Sequence, residues 1–80
     1  MDTEINEFIE TTCLFSKGQI KPIFFRWRNH LYKIKKIVFQ FHKKIGSEKI
    51  FYFSVETGVN SCQLEFNSKE QTWKLLKIFS

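Results

Sequence analysis

The segment Phe51-Tyr52-Phe53-Ser54-Val55-Glu56-Thr57-Gly58-Val59-Asn60-Ser61-Cys62-Gln63-Leu64-Glu65-Phe66 decides the fold class. Two alternating runs flank a turn-forming stretch, and alternation puts every second side chain on one face of a strand. A four-residue loop at Thr57–Asn60 pairs Val55 with Cys62, Phe53 with Leu64 and Phe51 with Phe66. All three pairs set apolar against apolar, as a hairpin with one buried face requires. Tyr52 falls on the opposite face.

Upstream, Leu31–Phe41 carries apolar residues at Tyr32 and Ile34 and again at Ile37, Phe39 and Phe41, with an odd step between the two sets. One extra residue near Lys35-Lys36 restores a single face, which is what a β-bulge does, and bends the strand. Ile37, Phe39 and Phe41 are then expected opposite Val55, Phe53 and Phe51, with Lys36 opposite Glu56. Before this lies Lys21-Pro22-Ile23-Phe24-Phe25-Arg26-Trp27-Arg28-Asn29-His30-Leu31-Tyr32-Lys33-Ile34-Lys35-Lys36, where Asn29-His30 suits a two-residue turn at positive φ. That turn predicts Arg28 facing Leu31, Trp27 facing Tyr32, Arg26 facing Lys33 and Phe25 facing Ile34. Phe25, Trp27, Tyr32 and Ile34 then share a core face, and Arg26, Arg28, Lys33 and Lys35 a cationic one. The like-charged pair Arg26–Lys33 costs roughly 0.2–1 kcal/mol, which a carboxylate or an anionic partner would offset.

Further turns are expected at Lys17-Gly18-Gln19, Ile45-Gly46-Ser47 and Asn67–Gln71, dividing the chain into six short segments. The fold predicted is all-β: a small antiparallel meander of five to six strands, forming a strongly bent sheet or partly open barrel. Its core is expected to include Phe25, Trp27, Tyr32, Ile34, Phe39, Phe53, Leu64 and Trp73. The termini are open to a short helix. Ile5, Phe8 and Ile9 stand at helical spacing ahead of a strand near 9–16. Ser68–Gln71 reads as a capping box before Trp73, Leu76 and Phe79. A C-terminal strand would instead pair Glu65 with Lys74 and Phe66 with Trp73.

Eighty residues make a single domain, 1–80, with 1–8 open to fraying. A chain this short buries only about 60% of its unfolded surface, so its core needs large apolar groups. Ten Phe, two Trp and two Tyr supply them. The net charge of +5 is unevenly spread: −4 over residues 1–16, +9 over 17–49 and zero over 50–80. Such a basic middle attracts polyanions, although lysines on strands also serve to block edge pairing.

Cys13 and Cys62 match no metal-ligand or redox spacing and read as small core residues. His30 suits a turn tip and His42 a solvated loop, and no set of four ligands for a metal is apparent. The carboxylates fall in loops or on outward positions, no Ser-His-Asp arrangement or phosphate loop exists, and the chain reads as non-catalytic without a cofactor. No signal peptide and no run of about 18 apolar residues is present, so a cytoplasmic protein without membrane contact is expected.

The pattern Pro22-x-x-Phe25-x-Trp27-Arg28-x-x-x-Tyr32-x-Ile34-x-x-Ile37 resembles the opening of a short, uncharacterised bacterial domain family. That family occurs alone and as a C-terminal piece of Y-family-polymerase-like DNA repair proteins. The likeness continues through the aromatic strand ending at Val55 to Trp73-x-Leu75, covering residues 9–79. It implies a C-terminal strand and a DNA-related role. Asn29 and His30 depart from the Gly and Arg usual there.

Two functions follow as expectations. One is a β module binding DNA or RNA backbone, as a DNA-repair accessory, through Arg26, Arg28, Lys33 and Lys35, with Phe24 and Tyr52 as stacking surfaces. The other is an interaction or structural module that docks an acidic protein partner or forms a homo-oligomer.

Overall fold

The computed structural model describes residues 2–79 and contains strands and turns throughout, with no helix among the described residues. Its seven antiparallel strands are β1 (Thr3–Ser16), β2 (Gln19–Trp27), β3 (His30–Lys33), β4 (Lys36–Ile45), β5 (Glu48–Glu56), β6 (Ser61–Asn67) and β7 (Thr72–Phe79). They form one open sheet in the order β3-β2-β1-β7-β6-β5-β4. Turns occur at all five anticipated places, the one in the first hairpin displaced by one residue. A seventh strand arises because the chain changes neighbours at Ile34-Lys35: the Ile34 amide donates to Ile23 and the Lys35 amide to Glu56. One long segment therefore runs from β2 to β5 and becomes β3 and β4.

A single sheet can bury a face only by bending over itself. The 14-residue β1 makes the bend, pairing with β7 from Thr3 to Ile9 and with β2 from Glu10 to Ser16. Register shifts at Glu4/Glu7, where Asn6 has φ 55°, and at Thr12/Cys13 supply its curvature. The core lies between the two halves: Phe25 from β2 packs in one cluster with Phe53, Val55, Cys62, Leu64, Phe66, Trp73 and Leu75. Trp27, Tyr32 and Ile34 are half-buried against it, and Tyr32 stacks on Phe25 at 5.2 Å.

The β5–β6 register is the expected one, Val55 with Cys62, Phe53 with Leu64 and Phe51 with Phe66. So is the strand alternative for the C-terminus, Glu65 with Lys74 and Phe66 with Trp73. The helical spacing of Trp73, Leu76 and Phe79 comes from a register shift in the β6–β7 pairing, beside Leu76, which lets Trp73, Leu75 and Ile78 face inward. The turn before β7 is built on Asn67, whose Oδ1 accepts from the amides of Lys69 and Glu70. That bond takes the place of a helix cap. At the other end the bulge near Asn6 likewise mimics helical spacing, and strand starts at Thr3 rather than near residue 9.

Two expectations on register are corrected. The first hairpin turns at Arg28-Asn29, with φ of 51° and 64°, so Phe25 faces Tyr32, Arg26 faces Leu31 and Phe24 faces Lys33. A slip of two residues preserves the face of every side chain but removes the Arg26–Lys33 pair. The bulge in the long segment falls between Ile37 and Phe39 rather than at Lys35-Lys36. Ile37 still faces Val55 and Lys36 still faces Glu56, but Phe39 now faces Ser54 and Phe41 faces Tyr52. Phe39 is thus 58% exposed and not a core residue; Phe41, also expected inside, is 37% exposed.

Asn29 sits where only Gly, Asn and Asp are comfortable. Asn29→Gly should leave the thermal midpoint unchanged or raise it, whereas Asn29→Val should cost about 1–2 kcal/mol, measured by denaturant titration. Equal tolerance would show that the turn lies elsewhere. Thr11 on β1 has a hydroxyl shut off from solvent with no hydrogen-bond partner among the described residues. A buried unmet polar group costs about 1–3 kcal/mol, so the nearly isosteric Thr11→Val should stabilise by about 1 kcal/mol. A destabilised Thr11→Val would mean that the hydroxyl is satisfied.

Candidate nucleic-acid interface

The bend distributes the six residues expected to form one site. Phe24, Arg26 and Lys33 stay together on the outer face of the first hairpin, beside Leu31. Glu10 of β1 stands opposite Arg26, so an acidic neighbour replaces the anticipated cation. Arg28 leaves this face because its positive φ turns it toward the end of the core. Its guanidinium bonds the Glu7 carboxylate at 2.8 Å and lies 4.6 Å from the centre of the Trp27 ring. The Trp27 indole N–H donates to the other Glu7 oxygen at 2.9 Å. Lys35 lies beyond β3, its Cε 3.5 Å from where a side chain at Gly58 would begin. Tyr52 belongs to β5, in the other half of the sheet.

A stronger convergence of aromatic and cationic groups lies on the outer face around Tyr52. The paired positions Phe41, Tyr52, Glu65, Lys74 and Phe8 form one row across β4, β5, β6, β7 and β1. Phe41 stacks on Tyr52 with ring centres 4.9 Å apart and planes inclined by 17°, and Phe39 continues the run at 5.6 Å from Phe41. The Lys43 ammonium stands 5.6 Å from the Tyr52 ring. At the far end of the row the Lys74 ammonium stands 4.9 Å from the ring of Phe8, which is 67% exposed. Burial, and then the Glu65 carboxylate beside it, push the Tyr52 phenol above its ordinary pKa, so it stays neutral at physiological pH.

β4 is an edge strand, and it carries Lys36, His42, Lys43 and Lys44 besides the two exposed phenylalanines. The sequence signal for this surface is the run Ile37-Val38-Phe39. Three consecutive apolar residues leave the phase of the following alternation undetermined, and the bulge there sends Phe39 and Phe41 outward. Their inward counterparts are Gln40, opposite Phe53, and His42, 5.6 Å from the ring of Phe51.

Both cysteines are free thiols. Burial pushes Cys62 up to about 11 and also raises Cys13, so neither is a ready nucleophile at neutral pH. No group of three or more His, Cys, Asp or Glu residues able to hold a metal ion occurs among the described residues. No helix is long and apolar enough to cross a membrane. No family model, curated protein or solved structure matches this chain.

The contacts of Arg28 and Trp27 hold the Glu7 carboxyl below its ordinary value of 4.5. A lowered folded-state pKa gives stability that is present above the unfolded value and is lost as pH falls through the folded one. The thermal midpoint of the parent should therefore converge on that of Glu7→Gln as pH is lowered from about 5 through the carboxylate range. The gap between them at neutral pH should narrow with salt, since the pair is exposed. A gap independent of both pH and salt would show that Glu7 acts only through packing.

Proposed function

We propose that this chain is a non-catalytic module that binds single-stranded nucleic acid across the β4–β5 face. Phe39, Phe41 and Tyr52 stack bases, while Lys36 and Lys43 neutralise phosphates. The observation that carries this reading is the Phe41–Tyr52 stack, extended by Phe39 onto an exposed edge strand rich in lysine. Aromatic rings beside cations serve single strands because every base offers a π face, whereas duplex bases are already stacked. The resemblance to polymerase-associated domains adds a DNA-repair context.

A second reading rests on the unpaired backbone of β4, which suits an extended acidic protein segment adding as a further strand. A second copy fits that edge poorly. Edge-to-edge pairing of β4 with itself would bring its lysines near their counterparts, a device that discourages such pairing.

Fluorescence anisotropy with labelled oligothymidylate tests the proposal. Affinity should fall with salt, the slope of log K on log salt being about −0.7 per phosphate contacted. Phe41→Ala should weaken binding by about 1–3 kcal/mol. Reversing Lys43 to Glu should weaken all sequences alike and flatten the salt slope. Reversing Arg26 and Lys33 to Glu should leave most of the affinity intact, at a stability cost of about 0.2–1 kcal/mol from Glu10 opposite position 26. If that last variant abolishes binding while Phe41→Ala does not, the site lies on the first hairpin. Absence of binding at low salt would favour the acidic-protein reading.

A further inference from the structure

Where the two halves of the sheet diverge, the inner face opens into a cleft of about 660 Å³. This is within the range of small-molecule sites, about 300–1,000 Å³. Its walls come from both halves: Cys13 and Phe15 of β1, Ile20 of β2, Phe51 of β5, Phe66 of β6 and Trp73 of β7. Phe66 and Trp73 are buried core residues with ring centres 4.8 Å apart, and they belong to the core as well as to the cleft. Phe15 is 66% exposed and meets Phe66 edge-on at 6.2 Å, leaving most of its ring uncovered. A flat apolar body placed between these rings would bury surface that the protein alone leaves wet.

The charge around this cleft has one sign. Lys17 and Lys49 are among its lining residues and no carboxylate is. Lys17 is held there by a turn in which it and Gly18 have φ of 51° and 77°, and the Lys49 ammonium stands 5.3 Å from the Phe51 ring. Glu48, the acidic neighbour in sequence, accepts instead from the Asn67 side-chain amide at 3.0 Å. The remaining lining groups are neutral and polar, among them Ser68 and Gln71.

We infer that this cleft binds a small aromatic carboxylate, its ring system against Phe15, Phe51, Phe66 and Trp73 and its carboxylate between Lys17 and Lys49. The apolar walls supply affinity without direction, and the two ammonium groups supply the preference for an anion. The cleft opens on the inner face of the sheet, opposite the Phe39–Phe41–Tyr52 surface, and does not depend on that surface binding nucleic acid.

The chain has two tryptophans, and they report separately: Trp73 lies in the cleft and Trp27 beside Arg28. In Trp27→Phe, 2-naphthoate should change Trp73 fluorescence saturably. The neutral 2-naphthamide should bind about four- to twenty-five-fold more weakly, the yield of two exposed ion pairs at about two- to fivefold each, and 2-naphthylmethylammonium more weakly still. Lys17→Gln and Lys49→Gln should each lower naphthoate affinity by about two- to fivefold and leave naphthamide unchanged. Phe15→Ala should weaken both. Should Trp27→Phe fail to fold, amide chemical-shift changes in the unaltered protein give the same readout, and they should centre on Phe15, Ile20, Phe51 and Phe66. Equal binding of the three probes, indifference to both lysine substitutions, or shift changes centred on β4 would overturn the inference. Phe41→Ala and Lys43→Glu, both on the outer face, should not alter naphthoate binding, so this result stands or falls apart from the nucleic-acid reading.

Discussion

The bend of one sheet over itself is the constraint on which the rest of the molecule depends. There is no helix among the described residues to cover an apolar face, so each half of the sheet must cover the other. Phe25 is buried only because β5, β6 and β7 place Phe53, Leu64 and Trp73 across from it. At about 25 cal/mol per Å² and 150–250 Å² per aromatic side chain, rings facing inward supply most of the stabilisation open to so short a chain. The bend is made by two devices in the chain. β1 changes neighbour from β7 to β2, and the segment through Ile34-Lys35 changes neighbour from β2 to β5. At the end where the halves diverge, the same bend leaves the cleft below Phe15.

Against that need for buried rings, the outward turn of Phe39 and Phe41 is costly. Burying a phenylalanine fully stabilises by about 1.5–3 kcal/mol, and a domain this small rarely has more than about 3–5 kcal/mol from its core. One bulge at Val38 forgoes a good part of that for two rings. It also leaves apolar surface on a ten-residue edge strand, a known aggregation hazard. The lysines on that strand limit the hazard, but they do not require aromatic neighbours. A surface that uses the rings accounts for both together, and the stack with Tyr52 fixes their geometry before any ligand arrives.

Elements whose alternation is unbroken were legible from the residues. β5 and β6 keep strict alternation around a four-residue loop, and their register follows without ambiguity. The first hairpin is legible in its faces but not in its register, because Arg28-Asn29 and Asn29-His30 are both acceptable turns and a two-residue slip leaves each face unchanged. Bulges are where the reading fails. Those near Asn6 and Leu76 shift one apolar residue and imitate helical spacing, and the one at Val38 inverts a whole half-strand. A bulge is set by curvature, which depends on the opposite half of the sheet, and no local pattern reports it. The ion pair of Glu7 with Arg28 spans 21 residues and likewise follows only from the bend.

That long-range pairing also redistributes the charge. The acidic residues of the N-terminal segment do not lie over the basic region; β1 enters the sheet between β2 and β7 and meets their cations in register. Glu7 takes Arg28, Glu10 stands opposite Arg26, and Glu4 comes within 3.8 Å of the Lys77 ammonium. Each contact is exposed and adds little stability by itself. Their combined effect is on the field: they set carboxylates beside Arg26, Arg28 and Lys77, whereas the edge strand β4 keeps Lys36 and Lys43 on its outer side, with Glu56 opposite Lys36 and Ile50 opposite Lys43. A potential concentrated along one edge steers an extended anion to that edge more effectively than the same charge spread over the surface. The rings of Phe39 and Phe41 stand on that edge, so in the proposed reading attraction and stacking act at the same place.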